Sequence, residues 1–222
     1  MNQALTFIDT TIGKKIVMAL TGVVMFGFVL GHMAGNLQVF LGPDAYNAYA
    51  VGIHKLGPLL WLARGVLLLS LAMHIATAMQ LVAQSAAARP VAYKVKKNNK
   101  TTFAALTMKY SGMWLLGVLL YHLAHFTFPG IAMGDYQHQH FSAVYTNVIN
   151  GFSVPWVTAL YIISMCFLGM HLFHGSYSLF QTVGLNNPLR NGTVKFIAQS
   201  FALLVTIGNI LIPLSVLLGL VK

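Results

Sequence analysis

Residues 16–40 read IVMALTGVVMFGFVLGHMAGNLQVF, an apolar run without a charged side chain and with a single histidine, His32, in its second half. At about 1.5 Å per residue a helix of this length covers the roughly 30 Å of bilayer hydrocarbon. Four further long apolar runs follow, at 59–82, 107–128, 155–180 and 196–220. Hydrocarbon offers no partner to an unpaired peptide group, so the runs predict transmembrane helices and not open sheet. Pro213 in the last run is expected to bend that helix without ending it.

The composition agrees with this reading. Of the 222 residues, 57% are hydrophobic and only 7% charged, which predicts an all-α integral membrane protein in which residues 1–222 form one transmembrane unit. Lysine and arginine number 13 against three acids, Asp9, Asp44 and Asp135, and no glutamate occurs. A basic chain invites a nucleic-acid reading. Here the cations stand between the apolar runs, where they act as orientation signals, so nucleic acid is set aside. The one cysteine, Cys166, lies inside an apolar run, which removes any disulfide framework, zinc-type cysteine pair or Cys-x-x-Cys-His attachment site. Near the N-terminus, Asp9 precedes the Lys14-Lys15 pair and no small-residue cleavage pattern follows, so the first run is expected to be a retained span and not a signal peptide.

The connections predict orientation. Lys14 and Lys15 precede span one, Arg89, Lys94, Lys96, Lys97 and Lys100 lie between spans two and three, and Arg190 and Lys195 lie between spans four and five. The connection from 129 to 154 carries Asp135 and no Lys or Arg, and that between spans one and two carries Lys55 and Asp44. The positive-inside rule then predicts a multi-pass protein of a bacterial-type cytoplasmic membrane, with its N-terminus and basic loops in the cytoplasm and its C-terminus outside. The basic loop also contacts lipid headgroups and faces the side where a soluble partner would dock.

Orientation converts histidine positions into depths. His32 lies roughly 24 Å and His122 roughly 18 Å from the cytoplasmic boundary, on the outer side, while His74 and His171 lie roughly 12 and 13 Å from it, on the inner side. An imidazole inside a membrane is costly and marks a ligand or a proton route. Two histidines at similar depth on different helices suit an iron held by two imidazoles, which pairs His32 with His122 and His74 with His171 and predicts two haem b groups held by coordination alone. In this reading the first four spans form the haem-binding bundle. Gly31 and Gly35 beside His32, and Gly175 one turn after His171, are expected to admit the close approach of a flat macrocycle. Interhelical hydrogen bonding is the competing account of buried histidines, and helix packing that of the glycines.

The runs Ile12-Gly13-Lys14-Lys15, His32-Met33-Ala34-Gly35-Asn36-Leu37, Asn47-Ala48-Tyr49-Ala50, Tyr121-His122-Leu123 and His171-Leu172-Phe173-His174-Gly175 resemble the five-helix, dihaem cytochrome b anchor of succinate:quinone oxidoreductases. The resemblance spans nearly the whole chain, carried by the order of the runs and by one histidine per helix. It implies a subunit that anchors a flavoprotein and an iron-sulfur protein on the cytoplasmic face and passes electrons from succinate to membrane quinone, commonly menaquinone. The chain has no flavin or dinucleotide motif, so the succinate chemistry would belong to those partners.

Two ligand choices depend on this comparison. His122 and His125 share a face of helix three, as do His171 and His174 of helix four. The family pattern, a glycine four residues after the ligand and another about thirteen after it, is met by Gly175 and Gly184 when His171 is the ligand. For helix three the comparison favours His122, and its distance from Pro129 agrees. His125 and His174 then become hydrogen-bond donors behind the ligands, neighbours of a propionate or quinone, or packing residues. In related fumarate reductases with a transmembrane proton route, a glutamate lies two residues before the helix-four ligand. That position is Gly169 here, so proton movement would have to use histidines or water.

A quinone oxygen needs donors near the membrane interface, and the outer end offers Tyr46, Tyr49, His54, Lys55, Trp61 and Arg64. His54 is the candidate quinone residue and Arg64 a candidate propionate partner. The same residues also read as an interfacial belt and helix-end anchors. Asp135, His138 and His140 cluster in the 129–154 connection and are read as a solvated loop without a metal. Two other functions remain open: another dihaem cytochrome b serving an ascorbate or hydrogenase partner, and a haem-free proton-coupled transporter.

Overall fold

The computed structural model describes residues 7–89, 91, 101–128 and 141–222, and every regular element among them is helical. The loop cations from Lys94 to Lys100 and the Asp135, His138 and His140 cluster lie outside the described residues. Five helices are long and apolar enough to cross a membrane. They are α1 (Thr11–Asn36), α3 (Pro58–Ala87), α4 (Phe103–Phe126), α6 (Pro155–Thr182) and α7 (Asn191–Leu217), with two shorter helices, α2 (Pro43–His54) and α5 (Val144–Phe152), between them.

Local chemistry explains the boundaries. Thr10 caps α1 by accepting from the Gly13 amide at 3.0 Å, and Thr102 caps α4 by accepting from the Ala105 amide at 3.2 Å. Proline stands in the first turn of α2, α3 and α6, where its missing N–H costs nothing. Gly42 (φ 92°) and Gly57 (φ 52°) supply the backbone angles that turn the chain into and out of the α2 region. The helices run a few residues beyond several of the apolar runs, since polar end residues continue the hydrogen-bond ladder where hydropathy has already faded. At the other end α7 stops at Leu217, ahead of Gly219 at φ 69°, and Pro213 sits within it.

The spans pack α1 on α3, α4 on α6 and α6 on α7, with lighter contacts from α1 to α6 and α7. Neither α1 with α4 nor α3 with α6 is closely packed. Large apolar side chains such as Leu59, Trp61, Leu62, Leu68, Leu203 and Leu204 point outward, as expected of helices whose solvent is lipid. One core gathers Val39, Tyr46, Val148, Phe152, Val157, Tyr161, Ile212 and Val216 beneath α2 and α5; a second joins Met33, Leu172, Ala202 and Val205 deeper in the bundle.

The caps close one end of the molecule. Tyr46 of α2 donates to Asn36 Oδ1 at the end of α1, while Asn36 Nδ2 donates to the His32 carbonyl at 2.8 Å. Asn47 Oδ1 accepts from the Tyr145 amide of α5 at 3.0 Å. Burial, and secondarily the neighbouring Tyr49, raises the Tyr46 phenol well above its ordinary range, so it stays a neutral donor.

Candidate functional site

Thr21 and His32 on α1, and Ser111 and His122 on α4, are each eleven residues apart. Eleven residues make about three turns, so each pair shares a helix face, its members separated by about 16 Å along the axis. The other two histidines come from α3 and α6. The structure brings the rings of His32 and His122 together edge to face, with centroids 5.7 Å apart at 89°, and those of His74 and His171 to 6.4 Å at 55°. Each histidine pair therefore bridges α1 to α4 or α3 to α6, the helices that do not pack closely. Two packed halves, α1 with α3 and α4 with α6, each contribute one histidine to each pair.

Hydroxyl groups orient the rings. Thr21 Oγ1 lies 3.2 Å from His74 Nδ1 and Ser111 Oγ lies 3.2 Å from His171 Nδ1. Both hydroxyls already donate their only hydrogen to a carbonyl of their own helix, Thr21 to Val17 at 2.8 Å and Ser111 to Met108 at 3.0 Å. Towards the imidazoles they can only accept. These contacts favour the Nδ1–H tautomers of His74 and His171, which leave Nε2 as the bare nitrogen, the arrangement that protein metal sites use to aim a histidine ligand. In the other pair Tyr161 Oη stands 3.2 Å from His122 Nδ1 and 3.3 Å from His125 Nδ1, while the His32 ring stacks on Phe28 at 5.3 Å.

This arrangement fits an iron held by two imidazoles. With metal–nitrogen bonds of about 2 Å and a ring centre about 1 Å behind each nitrogen, two opposed imidazoles stand roughly 6 Å apart centre to centre, close to both observed separations. No cluster of three or more His, Cys, Asp or Glu occurs among the described residues; each facing pair offers two imidazoles, the number that a macrocycle-held iron asks of the protein.

The remaining expected residues fall as follows. His125 is fully enclosed at 1% exposure, its ring against Phe126 and the backbone of Gly151. His174 lies one turn from His171 on α6 and is partly buried. Arg64 places its guanidinium over the Trp61 ring at 4.9 Å. His54 stacks on Phe141 at 4.1 Å and 10°, with Nδ1 2.9 Å from the Ala50 carbonyl oxygen. Two of the three glycines beside the histidines differ from expectation. A Cβ on Gly35 would overlap the Tyr49 phenol and one on Gly175 would press on Phe26, so packed aromatics claim both approaches, whereas Gly31 has nothing within 4 Å. A Cβ on Gly169 would overlap Thr206 of α7, which shows that this position faces the fifth span.

Thr21, Ser111 and Tyr161 were absent from the sequence reading. The eleven-residue spacing from hydroxyl to histidine, repeated on spans one and three, is the signal that could have found the first two. Tyr161 carries no comparable periodic mark.

No curated protein and no solved structure matches this chain. Residues 86–210 match the family described as succinate dehydrogenase/fumarate reductase transmembrane subunit, a range that holds His122 and His171 but not His32 and His74.

Proposed function

The chain belongs to the succinate dehydrogenase/fumarate reductase transmembrane subunit family, and on that premise we propose that it is a dihaem cytochrome b anchor of a succinate:quinone oxidoreductase. The observation that carries this reading is the meeting of the His74 and His171 rings at 6.4 Å, each with a hydroxyl 3.2 Å from its Nδ1, a contact that favours the tautomer with a bare Nε2. Histidines serving only to join helices would have no need of a second imidazole alongside.

His74 and His171 would hold one group and His32 and His122 the other. Bound there, haem b supplies one-electron redox chemistry. The protein's part is to fix ring orientation through Thr21, Ser111 and Tyr161, to supply a water-poor interior from the apolar spans, and to close one end with α2 and α5. With the basic loops in the cytoplasm, the His74–His171 pair lies nearer the flavoprotein and iron-sulfur partners, which carry the succinate chemistry. The His32–His122 pair lies nearer the outer surface. Quinone, of the menaquinone type, is the membrane substrate, with His54 the candidate contact: its Nδ1–H donates to the Ala50 carbonyl, which leaves Nε2 to accept from a quinol hydroxyl. Arg64 is the candidate propionate partner.

Haem stoichiometry tests the reading. The purified chain is expected to hold about two haems, and His74→Ala or His171→Ala to lose one while the other keeps its b-type spectrum. A wild-type value near zero would overturn the proposal. Unchanged quinone turnover in His54→Ala would remove that residue alone.

A further inference from the structure

Among the lysines and arginines of the described residues, Lys14 alone is buried, at 9% exposure, while its neighbour Lys15 is exposed. No described residue ion-pairs with the Lys14 ammonium or accepts a hydrogen bond from it. A lysine drawn out of water is almost always paired, because an uncompensated buried charge is costly. Lys14 is therefore placed for an anion that the described residues do not supply.

Helix periodicity says where that anion would lie. Lys14 stands seven residues before Thr21 and eighteen before His32, about two turns and five turns, so the three residues form one row along α1. Thr21 Oγ1 lies 3.2 Å from His74 Nδ1, and the His32 ring meets that of His122. The row therefore follows the face of α1 on which both histidine pairs are built, with Lys14 beyond the His74–His171 pair, towards the N-terminal end of the helix. On α4, Ala104, Ser111 and His122 repeat the spacing. Ala104 is buried as well, so the facing half offers a methyl group at the register where α1 offers a cation.

The ionised groups of a haem are its propionates. We propose that Lys14 is the counter-ion of a propionate of the group held between His74 and His171, an inference that rests on the dihaem reading. A lipid phosphate is the other anion at this depth, but the exposed Lys15 already presents a cation to the headgroups. Inside the bundle the ammonium makes a charge-assisted hydrogen bond to the carboxylate. It also favours the reduced iron, whose positive charge is smaller by one.

The test is an optical redox titration of the full-length haem-loaded chain in wild type, Lys14→Met, Lys14→Gln, Lys14→Arg and Lys15→Met. Both neutral variants of Lys14 are expected to lower one midpoint potential and leave the other in place, Lys14→Arg to keep the wild-type values, and Lys15→Met to change neither. On a His74→Ala background, where the outer haem remains, Lys14→Met is expected to have no effect. Loading the chain with haem dimethyl ester, which lacks the carboxylates, identifies the anion: the difference between wild type and Lys14→Met is expected to vanish. Unchanged potentials in the neutral variants, with two haems bound, would overturn the assignment while leaving the dihaem reading intact. An undiminished difference in the ester-loaded chain would give Lys14 to a lipid phosphate or a docked partner, and an equal shift in Lys15→Met would reduce it to general surface charge; either result overturns the proposal. If Lys14→Met does not accumulate, Lys14→Gln decides alone, a lowered inner potential supporting the contact and an unchanged one overturning it. Absence of any b-type spectrum in wild type would instead sink the dihaem reading.

Discussion

A threonine and a serine decide what the inner pair of histidines can do. Because Thr21 and Ser111 give their hydrogens to Val17 and Met108, they favour one tautomer of His74 and of His171 without adding charge to the bundle. Thr21→Val keeps the shape and removes the acceptor. It is expected to weaken haem retention at the inner site by about 10–100-fold, as is Ser111→Ala, with the outer site unchanged; competition with a haem-accepting apoprotein would measure both. Equal loss at the two sites would point to general destabilisation instead. The hydroxyl-to-histidine spacing was open to inspection in the chain. Which ring each hydroxyl serves was not, because each hydroxyl reaches a histidine on a neighbouring helix and not the one on its own. Gly35 and Gly175 make the same point. The need for a missing side chain is visible in the sequence, but Tyr49 and Phe26 fill the space through packing between distant segments.

At the scale of elements, the five apolar runs became five long helices because period and length suffice in hydrocarbon. The short helices α2 and α5 were read only as connections. Their sequences are mixed, and their stability comes from the surface they cover. Thr158 shows how α5 is held: it is 0% exposed and donates to the Phe152 carbonyl at 2.7 Å, tying the end of α5 to the first turns of α6. Thr158→Val leaves that carbonyl unpaired at nearly constant volume, and is expected to cost about 1–3 kcal/mol, read as a lower unfolding midpoint in detergent. Because α5 backs His125 through Gly151, Gly151→Ala is expected to destabilise by about 1–3 kcal/mol from overpacking, measured in the same way. A change in neither midpoint would mean that α5 bears no weight in the fold.

For the whole molecule, the two-half construction explains why four histidines make two facing pairs: each packed pair of spans offers one histidine to each pair, and facing the halves completes both. Orientation is tested by cysteine labelling on a Cys166→Ala background, since the native thiol is exposed. A membrane-impermeant maleimide added to intact cells is expected to label Asp44→Cys from outside and to reach Asn187→Cys only after lysis. The reverse pattern would invert the assignment of inner and outer pairs. By itself the sequence determined the number of spans, the membrane as solvent and the candidate histidines, because hydrocarbon imposes a one-dimensional rule on length and polarity. Only the tertiary structure decided which rings meet, which hydroxyls choose their tautomers and what fills the space at each glycine. Those depend on contacts between segments far apart in the chain, and helix periodicity carries no information about a neighbour's face.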